Sequence, residues 1–197
     1  NKWIGKPAIR PDGIEKVTGS AQYAADYTMP GMVWGKVLRS PHAHALIKKI
    51  DTSKAEALQG VLAVMTGADL PTLPLDVPLP TGPNDIRWIS RGCMAQEKIL
   101  YVGHPIAAVA ATSQEIAIAA LDLIEVDYEV LPHVIDVDEA VAPGAPILHE
   151  WIKTEGIEGP TNISNIMTVK TGDVEKGFDE ADLVVERDFK SAAVHQG

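Results

Sequence analysis

A chain of 197 residues that is 46% hydrophobic can bury a core of its own, as one large domain or two small ones, which excludes a disordered tail. Its 27 Asp and Glu against 17 Lys and Arg leave a formal charge of -10, so a phosphate backbone would be repelled and nucleic acid is excluded as a partner. Cys93, the single cysteine, cannot build a disulfide framework or a multi-cysteine zinc or iron–sulfur site, and the longest apolar run, 106–111, is far short of the ~20 residues of a membrane span.

Residues 5–29 are polar and punctuated by Pro7, Pro11, Gly13 and Gly19, which predicts an extended arm. Strands follow at 33–39 and 45–50, on either side of the turn-like Ser40-Pro41. Ser53 and Glu56 have the spacing of a capping box, so a short helix should end at Gly60, ahead of a buried strand at 61–66. Five prolines between Pro71 and Pro83 predict that 71–92 is a long irregular excursion. Beyond it, 99–102 and 106–111 read as two strands around a tight turn at Gly103-His104-Pro105.

Thr112-Ser113-Gln114-Glu115 forms a second box, and Ile116, Ala119, Ala120 and Leu123 share one helical face. A strand at 124–130 and a short helix at 136–140 complete this part. Residues 142–165, rich in glycine and proline, predict a linker. A strand at 166–170, a helix over 173–181 capped by Asp173 and a strand at 183–189 then belong to a further, incomplete domain. The expected organisation is an arm (1–14), an α+β domain of mixed strands with two to three short helices (15–141), the linker, and the beginning of a second domain (166–197). The chain opens without methionine and stops inside a structured segment, so both ends are expected to be cuts.

Residues able to carry chemistry are few. His42 and His44 lie two apart on an extended chain and face one way, but no third or fourth ligand is spaced to join them, and a polar loop or interface explains them better than a metal. Cys93 stands near Arg91, and His104 and His133 occur elsewhere. A cysteine nucleophile nevertheless lacks a base that the sequence brings to it, and a lone cysteine is ordinarily a small packed hydrophobe. Gly92 and Gly103 belong to no phosphate-binding pattern. The acidic pairs Glu125/Asp127 and Asp136/Asp138 fit solvated charges and caps. No catalytic set emerges from the residues alone.

The order of the short motifs says more. Gly5-Lys6-Pro7, Arg10-Pro11-Asp12-Gly13, Lys16-Val17-Thr18-Gly19, Tyr23-Ala24-Ala25-Asp26, Arg39-Ser40-Pro41, Ile50-Asp51-Thr52, Gly60 to Thr66 and Val102-Gly103-His104-Pro105 occur in succession. This succession resembles the α/β-hammerhead domain of the large molybdopterin-binding subunit of xanthine dehydrogenase and aldehyde oxidase. The later Gly172-Asp173-Val174 and Ala181 to Glu186 are similar to that family's passage into its first molybdopterin-binding domain.

The resemblance implies an oxidoreductase that hydroxylates an aldehyde, an N-heterocycle or a related substrate with water as oxygen source. It implies a molybdenum–pterin cofactor, two-iron two-sulfur and flavin partners, the rest of the same large subunit and a small-molecule substrate, while the lone cysteine makes a cytoplasmic setting the simplest expectation. It carries over to His195 and Gln196 as cofactor-neighbouring positions, places the catalytic residues beyond Gly197, and leaves this chain as an inactive scaffold without bound cofactor. The turn carrying Arg39, Ser40, His42 and His44, with the 71–92 excursion, is then the expected contact surface for an iron–sulfur partner or the substrate funnel. The alternatives are a stand-alone binding or assembly module without redox chemistry, and a small cysteine-dependent enzyme.

Overall fold

The computed structural model describes residues 2, 4–7, 9–71, 86–151 and 154–192. Two compact units divide between Leu148 and His149, within the glycine- and proline-rich stretch.

Among the described residues of the first unit six strands form two three-stranded antiparallel sheets. One has the order β1 (Trp34–Arg39), β5 (Pro105–Ala111), β3 (Val61–Thr66); the other has the order β4 (Lys98–Ile99), β2 (Ala45–Asp51), β6 (Glu125–Val130). Every step along the chain therefore changes sheet. The expected hairpin of 99–102 with 106–111 is absent: β4 pairs with β2, Ala45 opposite Ile99, while β5 lies between β1 and β3. The turn between them is tight, closed by His104 N–H to Tyr101 O at 3.1 Å with Gly103 at φ +83°, but it carries the chain from one sheet to the other.

The α-helices of this unit among the described residues are α1 (Gly13–Thr18), α2 (Ser53–Glu56), α3 (Ile86–Cys93), α4 (Gln114–Asp122) and α5 (Val137–Ala140). This exceeds the two to three expected, because two arise where breakers suggested none. Gly19 does not prevent α1; at φ +75° it ends it as a left-handed cap. The prolines of the 71–92 excursion stop at Pro83, leaving Ile86–Cys93 free to coil as α3.

α2 and α4 lie on the first sheet around Ala55, Ala107, Val109, Ala120 and Ile124, with Leu38, Val61 and Val64 beside them. Alanines at 0% exposure on both helices and strand let backbones approach closely. A second cluster, Ala45, Ala95, Ile99 and Ile106, packs with Ile47 and Tyr128; Ile50 and Val126 touch both clusters. On the opposite side of the first sheet, Val37 and Met65 flank Ala108 in register and are each 38% exposed. That face is open.

The second unit contains α6 (Val174–Asp179), with the Asp173 carboxylate accepting from Lys176 N–H at 3.2 Å, as its N-cap position predicted. The strands expected at 166–170 and 183–189 are absent: both stretches are irregular and exposed. A strand exists through its ladder, and no partner for either lies among the described residues.

Candidate functional site

The Arg39–His44 turn is built from its own polar groups. Ser40 Oγ accepts from His42 N–H at 3.0 Å and donates to His42 O at 3.1 Å, bending the chain at Pro41 so that β1 can leave its sheet and β2 begin the next. Ser40 N–H donates to His104 O at 2.9 Å, Ser40 O accepts from Gly103 N–H at 2.8 Å, and the Arg39 guanidinium donates to Gly103 O at 2.9 Å. Ser40 is buried and Arg39 exposed.

His44 is also buried. Its Nδ1 lies 2.6 Å from Pro132 O, which can only accept, so Nδ1 donates there, and among the described residues Nε2 is buried without a hydrogen-bond partner. The His42 ring meets Tyr128 edge-on, centroids 4.9 Å apart, and burial pushes the Tyr128 hydroxyl pKa up. The four residues singled out in sequence are thus close in space, with Arg39 facing solvent and Ser40 and His44 spending polar groups inside the domain. Among the described residues no group of three or more His, Cys, Asp or Glu could hold a metal.

Beside this turn lies a cluster that sequence reasoning missed. His104, fully buried, accepts at Nδ1 from Leu100 N–H at 3.1 Å and donates from Nε2 to Arg91 O at 2.8 Å. Tyr101 stacks on its ring at 4.4 Å and donates its hydroxyl to Gly92 O at 2.8 Å. Burial without a counter-charge holds the His104 pKa below the usual imidazole value, so the ring is neutral. Both its nitrogens are committed to backbone, so His104 cannot serve as base to the exposed Cys93. The signal available in sequence was a histidine in a tight turn immediately before an apolar strand.

Elsewhere polar groups serve the fold. The Asp51 carboxylate accepts from Ser53 Oγ at 2.6 Å and Ser53 N–H at 3.2 Å and pairs with Lys49 at 2.9 Å; these bonds, those from Ser53 first, hold its pKa far below the carboxylate range. Lys54 pairs with Glu125, and Lys48 with Glu129, on the solvent side. Such exposed pairs add little stability. In the second unit α6 and residues 183–185 form an apolar groove of about 330 Å³ lined by Val174, Phe178, Leu183 and Val185. His195 and Gln196 lie outside the described residues, as do 72–85 of the excursion.

These described residues do not make a cradle for a pterin. The unpartnered buried nitrogens of His44 and Gln96 are sealed atoms within packed segments, and the groove beside α6 is walled by apolar side chains.

Two antiparallel sheets exchanging strands at every step, with helices packed on one of them, define an α+β domain. Residues 18–132 match the family model of the aldehyde oxidase and xanthine dehydrogenase α/β-hammerhead domain, and the chain belongs to that family. It is 41% identical, over 95% of its length, to a probable xanthine dehydrogenase component of Bacillus subtilis, and 40% identical, over 98%, to the carbon monoxide dehydrogenase large chain of Afipia carboxidovorans. It spans 23% and 24% of the lengths of these two relatives. Among solved structures, the aldehyde oxidoreductase of Desulfovibrio gigas superposes with a TM-score of 0.63 at 29% identity, covering 88% of this chain and 19% of that one.

Proposed function

We propose that this chain is the N-terminal scaffold of a larger molybdenum-dependent oxidoreductase subunit whose catalytic centre is built by residues outside it. One observation carries the reading: a chain matching the hammerhead model over 18–132 spans only 23% and 24% of two relatives, and among its described residues no group of three or more His, Cys, Asp or Glu could hold a metal. In the complete protein the reaction class is hydroxylation of an aldehyde, N-heterocycle or related substrate, with electrons leaving through two-iron two-sulfur and flavin partners. A setting in the cytoplasm fits the lone cysteine, and no helix among the described residues is long and apolar enough to cross a membrane.

Within that subunit the exposed Arg39 at the edge of the 39–44 turn, with the 71–92 excursion, contacts an iron–sulfur partner or the substrate funnel. His195 and Gln196 approach the cofactor. The open face with Val37 and Met65 is covered by the rest of the same subunit, because an uncovered apolar sheet face is unfavourable in water. The test is to purify the full-length gene product, measure molybdenum and pterin, and compare recovery of the iron–sulfur subunit with wild type and Arg39→Glu. Bound molybdenum and pterin with weakened recovery of the partner are expected. A full-length product devoid of both cofactors would reject the oxidoreductase reading; unchanged recovery with Arg39→Glu would reject the contact.

A further inference from the structure

We propose that His104 is an acid-released latch, whose neutral imidazole fastens the C-terminal end of α3 to the turn at 100–104 and whose protonation at Nδ1 frees that end. The imidazole bridges these two backbones through both of its nitrogens, since Nδ1 takes Leu100 N–H and Nε2 gives its proton to Arg91 O. This arrangement admits one tautomer and one charge state. A proton on Nδ1 turns the acceptor into a donor facing another donor, so the Leu100 bond becomes repulsive and a cation is left at 0% exposure.

Among the described residues no carboxylate lies in the segments bonded to or stacked on His104, and only the carbonyls of Arg91 and Gly92 favour that cation. Those segments are 90–95, 100–105 and 39–40; among their side chains the charged groups are the guanidiniums of Arg39 and Arg91, and the other titratable ones are Tyr101 and Cys93. Desolvation outweighs the two carbonyls and holds the folded-state pKa below the usual imidazole value. The charged ring must leave for water, and its bond to Arg91 O goes with it. The core strand β5 is anchored separately, by its ladders to β1 and β3. Release is therefore local: the end of α3 detaches while the sheet stays closed.

The sign follows from linkage. Opening exposes an imidazole of ordinary pKa, 6.5, so the open form binds protons more tightly than the latched one. Latching is complete above 6.5 and weakens as pH falls from 6.5 toward the lowered folded value, by roughly tenfold per pH unit.

Amide hydrogen exchange of the full chain at about pH 7.5 and about pH 5.5, corrected for intrinsic rates, tests this. Residues 90–94 and Leu100 should lose protection at the lower pH, by up to about tenfold, while remaining less protected than 106–111 at both. His104→Gln, whose carbonyl can take the Leu100 bond and whose amide can reach Arg91 O, should keep the latch at both values. His104→Phe, which keeps the stack on Tyr101 but neither bond, should be open at both. The latch is refuted if wild-type protection over 90–94 is the same at the two pH values, or if it always equals that of 106–111. The wild-type measurement decides alone should a variant fail to fold.

Discussion

At Gly67 an added methyl group would stand 2.2 Å from Ala95 O and 2.8 Å from its carbonyl carbon, atoms that cannot rotate away. Gly67→Ala should therefore lower stability by about 1–3 kcal/mol, the usual penalty of overpacking, as read by urea unfolding. A change within roughly 0.5 kcal/mol would show that the loop yields at no cost. Gly67 is not at positive φ; its need is for space. That kind of requirement is invisible in sequence, because the crowding atoms come from a segment nearly thirty positions away. The same limit hid His104, whose partners on Arg91 and Leu100 meet only when the chain folds. Arg39, Ser40, His42 and His44 were legible as a polar turn, but their burial was not: Ser40 and His44 are drawn inward by backbone groups of His104, Gly103 and Pro132.

Helix and strand positions were largely written in local patterns, with the caps of α2 and α4 displaced by one residue. The structure caps α4 at Ser113, whose Oγ accepts from Ile116 N–H at 3.3 Å, where the box spacing pointed to Thr112; α2 likewise begins after Thr52, not Ser53. The buried face of α4 turns with it. Ala117 and Ala120 are fully buried and Ile116 and Leu121 partly so, while Ala119, expected inside, is exposed. A reading by period alone leaves that phase undetermined when both faces carry alanine and isoleucine. Ser113→Ala should cost about 1 kcal/mol of unfolding free energy, whereas Thr112→Ala should stay within roughly 0.5 kcal/mol. Equal losses from the two substitutions would place the cap at neither. β6 was plain from its alternation, yet its neighbours were not, because nothing in Glu125–Val130 says that Ala45 will stand opposite Val130.

Over the whole molecule, the ordered motifs carried the family where single residues carried no activity. The second unit was read too generously, since 166–170 and 183–189 have strand patterns without a ladder among the described residues; Val169, Leu183 and Phe189 are 82%, 79% and 90% exposed. If the rest of a longer subunit pairs them, their amides should exchange at nearly free-chain rates in residues 1–197 and be protected in the full-length protein. Fast exchange in both contexts would mean that the alternation there serves no sheet.

The strand exchange at every step has a consequence for how the chain is made. Trp34 waits for Ala111, and Ala45 for Val130, so no ladder of either sheet can be completed between consecutive strands as they leave the ribosome. β1 must emerge unpaired and remain so until β5 arrives, and β2 gains only the short β4 before β6 arrives, a topology of distant pairings that folds slowly and exposes apolar segments meanwhile. A nascent chain stalled before residue 105 should be digested by protease throughout, and one extended past 130 with room to clear the exit tunnel should acquire resistance in a single step.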